Sequence, residues 1–478
     1  MRGKRAPRRV VLLEPSVAAE CVVTELTGQI RCGAPFLAGA LVEAGFEAEV
    51  IAEELTVFDA RLMDEICRSA DVVGLSLALN TLPRGLHVAQ ALKRRRPDLP
   101  VVAGGPSASA FADKLLTACD AVFRGRAETS LPVALRRSEG TRFPADVPGI
   151  VVPGPDGPRH DPRDPLPADG PTRYDLVRDL GPWTARDGMF GGPKEGIYTL
   201  FASTGCVRSC RFCQSPKRWI PRSLDNVIAD LGMILRVNGP SRPVRIMLAD
   251  DCLFADIAWT KELLRRLVHA VRTAGDVRFS LQFHVAPTAD DELMRLFKEA
   301  RVSSLALGLE SVSAETLDSQ RKGTTPEQNA AAIDQCRRFD IVPYGYFVTG
   351  FDTDSEETVR SVFSYIRKQG IIAQVLPVGL MSRDPFGRPT PEAPRVLSDT
   401  SFGATVFVSH LPRTMPAWRL QELINSGHDT IMTIGRMGRF STSYERAFLF
   451  GQARCLAVWR PAMAAHVERL RGLDPRPA

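Results

Sequence analysis

The sequence predicts an α/β protein in three parts: an N-terminal Rossmann-like, doubly wound parallel sheet, a partial (β/α)6 barrel, and a mainly helical C-terminal segment. Three observations predict it. Short apolar runs alternate with helical periodicity over residues 1–140, and again from Gly196 onward. Between the two series lies a stretch dense in Pro, Gly and Asp, VPGPDGPRHDPRDPLPADGP. The chain has 478 residues, too many for one average domain.

In the first series, Arg9–Glu14 (RVVLLE) reads as a buried strand, Pro35–Ala44 as a helix and Glu47–Ile51 as a second strand. Asp71–Leu77 is the third strand, followed by a helix from Pro83 to Arg95. Pro100–Ala103 is the fourth, closed by Gly104-Gly105-Pro106, and Ala121–Arg124 a short fifth. Alternating units of this length argue for a parallel sheet with helices on both faces. Residues 141–195 read as a linker, in which Gly149–Val152 and the turn Pro155-Asp156-Gly157 predict a small hairpin.

The second series spans residues 196–385. Strands are expected at Tyr198–Ala202, Val244–Leu248, Arg278–Phe283, Ser304–Leu309, Pro343–Val348 and Ile372–Leu376. One intervening helix starts at Ser223. Another starts at Thr325-Pro326-Glu327-Gln328, a capping box with Pro at the first helical position. Six such units make a partial barrel. Residues 386–478 read as one strand, Ala404–Val408, followed by helices.

Composition narrows the function. Lys and Arg number 61 against 55 Asp and Glu, a net charge of +6 spread along the chain rather than gathered in blocks, which argues against a nucleic-acid partner. No apolar run approaches the ~20 residues that span a bilayer. The N-terminus begins basic and turns apolar, but Val10–Leu13 is too short for a signal sequence and Glu14-Pro15 ends it. A cytoplasmic enzyme without membrane attachment is expected. Seven cysteines are scattered (Cys21, Cys32, Cys67, Cys119, Cys252, Cys336 and Cys455) and read as small buried hydrophobes in a reducing compartment.

The other three are clustered. Ser203-Thr204-Gly205-Cys206-Val207-Arg208-Ser209-Cys210-Arg211-Phe212-Cys213 sets Cys206, Cys210 and Cys213 at C-x3-C-x2-C spacing, just after the first barrel strand. That is the strand end at which barrel enzymes place chemistry. Three thiolates on one loop hold three irons of a [4Fe–4S] cluster and leave the fourth open. Structural zinc is the competing reading; it usually uses paired C-x2-C knuckles and wants a fourth ligand, and the next Cys is Cys252.

The spacing, the aromatic Phe212 before the third cysteine, and the six-unit series from 196 to 385 resemble the radical S-adenosylmethionine (SAM) superfamily. The resemblance implies that the open iron chelates the amino and carboxylate groups of SAM. Asp250 and Asp251, ending the second barrel strand, resemble an acidic pair of the cobalamin-linked branch, with helix capping as the alternative. Glu310 resembles the acid near the SAM ribose, with an ion pair to Arg321 or Lys322 as its rival. Gly350, in Gly345–Asp352, resembles the fifth-strand segment along the adenine. His284, near the third strand end, reads as structural.

A doubly wound domain ahead of such a barrel resembles the cobalamin-binding domain of class B radical SAM methyltransferases. The resemblance rests on Ser76 in Leu75-Ser76-Leu77, on Gly104, Gly105 and Pro106, and on Gly125 and Glu128 in Arg124–Thr129. The Asp-x-His-x-x-Gly signature of other cobalamin proteins is absent, which implies cobalamin without a histidine lower ligand, or a domain that has lost it. The methylthiotransferases are a weaker match, because Cys21, Cys32 and Cys67 are unevenly spaced.

The resemblance thus implies a [4Fe–4S] cluster, SAM and cobalamin as cofactors. It implies methylation of an unactivated carbon of a small-molecule (natural-product) or peptide substrate, and an electron donor such as flavodoxin or ferredoxin. A non-methylating radical reaction (oxidation, cyclisation, rearrangement or epimerisation, with Cys252 or Cys336 as hydrogen donor) is the alternative. An iron–sulfur or cobalamin sensor without turnover is the third reading. Trp418, Tyr444, Phe448 and Trp459 are expected either to close the barrel mouth or to form a helical core stripe.

Overall fold

A computed structural model describes residues 9–16, 29–106, 108–181, 195–379, 390–397, 407–433, 457, 460–474, 476 and 477. Its strands are, in chain order, β1 (Arg9–Glu14), β2 (Gln29–Ile30), β3 (Glu47–Ala52), β4 (Val72–Ser76), β5 (Val101–Gly104), β6 (Ala121–Phe123), β7 (Ile150–Val152) and β8 (Arg159–His160). Then follow β9 (Gly196–Leu200), β10 (Ser203–Thr204), β11 (Ile220–Pro221), β12 (Val244–Leu248), β13 (Val277–Phe283), β14 (Val302–Glu310), β15 (Val342–Thr349) and β16 (Ile372–Pro377).

The first sheet runs β3-β1-β4-β5-β6-β7-β8. Pairing is parallel from β3 to β6 and antiparallel beyond. Strand order reverses direction at β1, so a crevice opens between the carboxyl ends of β1 and β4, the usual ligand position of such sheets. Both faces are covered, which is why β1 reads as a continuous apolar run. Val10 and Leu12 join the core that includes helices Gly33–Glu43 and Ala127–Arg137, while Val11 and Leu13 join the core of helices Ala60–Ser69 and Leu82–Arg95. The hairpin expected inside a linker is instead the edge of this sheet: Ile150 and Val151 pair with β6, and their buried side chains hold β7 there.

The second sheet is parallel throughout, in the order β2-β9-β12-β13-β14-β15-β16. Six strands match the expected barrel units. The seventh, β2, comes from the N-terminal segment and pairs Gln29 and Ile30 with Ile197 and Tyr198. Along β14, Leu305, Leu307 and Leu309 are fully buried against the outer helices, so alternation turns Ala306, Gly308 and Glu310 to the concave face.

Arg222 joins the two sheets. It is buried and pairs with Asp230 (2.9 Å) and Asp169 (3.2 Å). Its guanidinium lies over Phe36 of the N-terminal domain (4.9 Å) and Phe201 of the barrel (4.5 Å).

At the C-terminal end, helix Ala417–Ile431 packs on helix Glu356–Gln369, and residues 460–473 are helical. Of the strand expected at Ala404–Val408, residues 404–406 lie outside the described residues; Val408 is in no strand and donates its N–H to Gln421 Oε1 at 2.7 Å. Trp418 donates to the Arg476 carbonyl (3.3 Å) beneath the Arg471 guanidinium, a helix-packing position. Tyr444, Phe448 and Trp459 lie outside the described residues. Among the described residues no helix is long and apolar enough to cross a membrane.

Candidate functional site

The cysteine loop is closed at its base by β10 and β11, which pair antiparallel through Ser203–Pro221 and Thr204–Ile220. Within it the Cys206 N–H donates to the Pro216 carbonyl (2.8 Å) and the Cys213 N–H to the Cys210 carbonyl (3.3 Å). The Arg208 N–H donates to Cys206 Sγ at 3.3 Å. Gly205 enters the loop at φ +76°, and a Cβ there would overlap the Arg218 carbonyl oxygen; only glycine meets both conditions. Cys206, Cys210 and Cys213 are all free thiols, the first two buried and the third partly exposed. Burial pushes the Cys210 thiol up, and nearby Lys322 opposes this.

These residues fit a cluster: three unpaired thiols on one loop, with a backbone N–H already aimed at a ligand sulfur, the contact that tunes such centres. Cluster thiolates each take a separate iron, so three on one loop suffice, whereas a structural zinc site takes four ligands.

Asp250 and Asp251 act on the loop backbone. Asp250, fully buried, accepts from the N–H groups of Ala202 and Ser203 and from Ser203 Oγ (2.6 Å). Burial raises its carboxyl to about 6 despite these donors. Asp251 accepts from Gly205 N (2.8 Å) just before the first cysteine and from Ser215 Oγ (2.8 Å) just after the third. Sequence reasoning placed both acids among the cofactor-binding residues; their hydrogen bonds here hold both ends of the cysteine loop. Cys252, the next cysteine along the chain, is buried beside Cys206, its thiol pushed up to about 12 by burial.

A second group closes the loop from the far side. Glu310 ends β14 at φ +62°, where the register to β15 shifts. Its Oε1 accepts from Lys322 Nζ at 2.7 Å, both side chains being about nine-tenths buried. Of the two rivals weighed for Glu310, Lys322 is therefore its partner. A Cβ at Gly308 would stand 2.6 Å from Glu310 Oε1 and 2.7 Å from Lys322 Nζ, so the pair fills the space the glycine leaves. Arg208 donates to the Lys322 carbonyl and the Arg211 N–H to the Gln320 carbonyl (3.1 Å), so residues 320–322 grip the cysteine loop. Phe212 meets Phe351 edge-on at 5.5 Å. Gly350 donates to Asp354 Oδ2 (2.9 Å) and its carbonyl meets His410 Nε2 (3.2 Å). His284 accepts the Ala286 N–H at Nδ1 (3.2 Å) and stacks near Phe254 (4.7 Å); burial lowers it to about 4.

Of the N-terminal candidates, Ser76 and Gly104 end neighbouring strands and pair in register. Gly105 (φ +110°) is pressed on the Leu77 carbonyl, and the exposed Pro106 follows it. Gly125 precedes helix Ala127–Arg137, so Glu128 lies in that helix's first turn rather than in a loop. It is largely buried, which raises its carboxyl, and Arg126 stands 3.6 Å away. Arg126 also donates to Thr204 Oγ1. This bond brings the carboxyl edge of the first sheet against the entry of the cysteine loop.

Two family signatures map onto these two edges: a B12 binding domain over residues 29–135 and the Radical SAM superfamily over residues 200–366. The chain carries a radical SAM domain and a B12 binding domain, the pairing of the cobalamin-dependent radical SAM enzymes. It is 24% identical over 380 residues to an uncharacterized methyltransferase of Pyrococcus horikoshii, covering 76% of this chain and 78% of that one. It is 23% identical over 348 residues to an anaerobic magnesium-protoporphyrin IX monomethyl ester cyclase of Rubrivivax gelatinosus, covering 70% of this chain and 61% of the cyclase. In fold it is similar to the radical SAM methyltransferase TsrM of Kitasatospora setae, solved with tryptophan and a SAM analogue (TM-score 0.68, 17% identity, 96% of this chain and 99% of that one). The radical SAM domain implies a [4Fe–4S] cluster and SAM, and the B12 binding domain implies cobalamin.

The contact residues to which sequence reasoning gave no role of their own are Arg208 and Arg126. Arg208 lies inside the cysteine motif and Arg126 inside the segment Arg124–Thr129, and both acquire their partners only through tertiary contacts.

Proposed function

We propose that this enzyme transfers a methyl group to an unactivated carbon of a small-molecule or peptide substrate held between the two sheet edges. The observation that carries the reading is the Arg126–Thr204 hydrogen bond, which sets the carboxyl edge of the B12-binding domain against the cysteine loop. When bound, the cofactors supply a 5′-deoxyadenosyl radical at the barrel and a methyl group from the first sheet. In this reading Cys206, Cys210 and Cys213 ligate the cluster, Asp250 and Asp251 position its loop, and Phe212, Glu310 and Gly350 line the SAM site. Ser76, Gly104, Gly105, Pro106, Gly125 and Glu128 line the corrinoid site.

The proposed units are residues 1–140, 141–195, 196–385 and 386–478. A flavodoxin- or ferredoxin-type donor in the cytoplasm supplies electrons; the described cysteines, all free thiols, suit a reducing compartment. A cyclisation or other non-methylating radical reaction is the second reading, favoured by the similarity to the cyclase.

The test is to supply SAM carrying a deuterated methyl group, a reductant and candidate substrates, and to follow 5′-deoxyadenosine and product mass. Label in the product supports methylation. 5′-Deoxyadenosine with an unlabelled, altered product supports the second reading. Absence of SAM turnover under every condition leaves only a sensor.

A further inference from the structure

Glu14 ends β1 and Ser76 ends β4, and these strands flank the point at which strand order reverses. The register pairs Leu13 with Leu75 and Ser76 with Gly104. Glu14, Ser76 and Gly104 therefore form one row along the carboxyl edge, on the face that carries Leu12 and Gly74. Glu14 is 3% exposed. Arg31 Nε stands 3.7 Å from its Oε2, and burial raises the carboxyl against the opposing influence of Arg31, the Ala34 N–H and the Ser76 hydroxyl. Its Oε1 is buried and meets no hydrogen-bond partner among the described residues. A buried carboxyl oxygen left without a donor is destabilising, and it lies where ligands of such sheets bind.

We propose that Glu14 is a corrinoid-binding residue, its Oε1 accepting an N–H from one of the primary carboxamides on the corrin ring. The inference rests on the reading of the first domain as the corrinoid site, and it adds a residue with no glycine or motif signal. Ser76 then orients the carboxyl, and Gly104, the next member of the row, leaves space beside it.

The experiment compares wild type, Glu14→Met and Glu14→Gln as full-length, iron-loaded protein. Binding of hydroxocobalamin and of dicyanocobinamide, which keeps the ring carboxamides and lacks the nucleotide tail, is titrated by absorbance. Glu14→Met is expected to weaken both corrinoids by about tenfold, the size of one lost hydrogen bond to a charged or buried group. Its iron content should be unchanged, and its melting temperature without corrinoid is recorded beside it so that lost binding is told apart from lost fold. Glu14→Gln keeps an acceptor oxygen and is expected to bind nearly as wild type. Equal affinity in Glu14→Met, or a loss confined to hydroxocobalamin, overturns the proposal. A wild-type protein that takes up no corrinoid overturns the underlying reading instead, so the two failures are told apart.

Discussion

Asp251 accepts the Gly205 N–H at 2.8 Å, and through its second oxygen the Ser215 hydroxyl, so one carboxylate spans the residues that flank the three cysteines. Hydrogen bonds to a charged group contribute about 1.5–3 kcal/mol each. Replacing Asp251 with Ala is expected to loosen the loop and lower iron retained per chain after anaerobic reconstitution and desalting, with fold stability little changed. Asp251→Asn, which keeps one acceptor, should fall between. Full iron retention in Asp251→Ala would show that the loop holds its shape without this contact.

Gly205→Ala tests the same loop from its backbone. A side chain at φ +76° costs roughly 1–2 kcal/mol, and its Cβ would overlap the Arg218 carbonyl. Iron uptake is expected to drop sharply, while far-ultraviolet circular dichroism stays that of the wild type.

Arg222→Ala should unfold the protein more easily by about 3–5 kcal/mol, because it strands the buried Asp230 and removes the cation lying over Phe36 and Phe201. Denaturant unfolding measures it. A loss below 1 kcal/mol would mean that the joint between the two sheets is held elsewhere.

Asp354 gives a pH prediction. Burial raises its carboxyl to about 6, against donors from Gly350, Phe351 and Thr316. The folded state therefore holds this proton where the unfolded chain, near 3.8, has lost it. The stability it contributes is complete below about pH 4 and disappears as pH rises through 6, a change of roughly 3 kcal/mol at most. Asp354→Asn is expected to remove that slope from the dependence of melting temperature on pH between 4 and 7.

Much of this was legible in the chain. β12 occupies Val244–Leu248 as its apolar run predicts, and Thr325–Gln328 forms the capping box its spelling announces. Local patterns decide such elements. The cysteine loop was legible because ligand spacing is itself a local signal. β2 was not, since two residues acquire strand identity only by pairing with β9 across more than 160 residues of chain. The hairpin of β7 and β8 was visible as a turn, but not its attachment to β6. Lys322 and Arg321 were indistinguishable as partners of Glu310 until the turn after helix Ala314–Ser319 placed Lys322 inward. Asp250 and Asp251 were read as facing cofactors because their position at a strand end is local, whereas the backbone donors they satisfy belong to a loop more than 40 residues earlier.

In the proposed function one chain carries both a cluster and a corrinoid on facing edges. The most direct measurement is anaerobic reconstitution with iron, sulfide and hydroxocobalamin, followed by desalting and quantification of both, in wild type and in Cys210→Ala. The expected result is about four irons and one corrinoid per wild-type chain, and in Cys210→Ala loss of the cluster and of SAM cleavage with corrinoid retained. Wild-type protein that holds iron but no corrinoid, or a Cys210→Ala variant that still cleaves SAM, would contradict it.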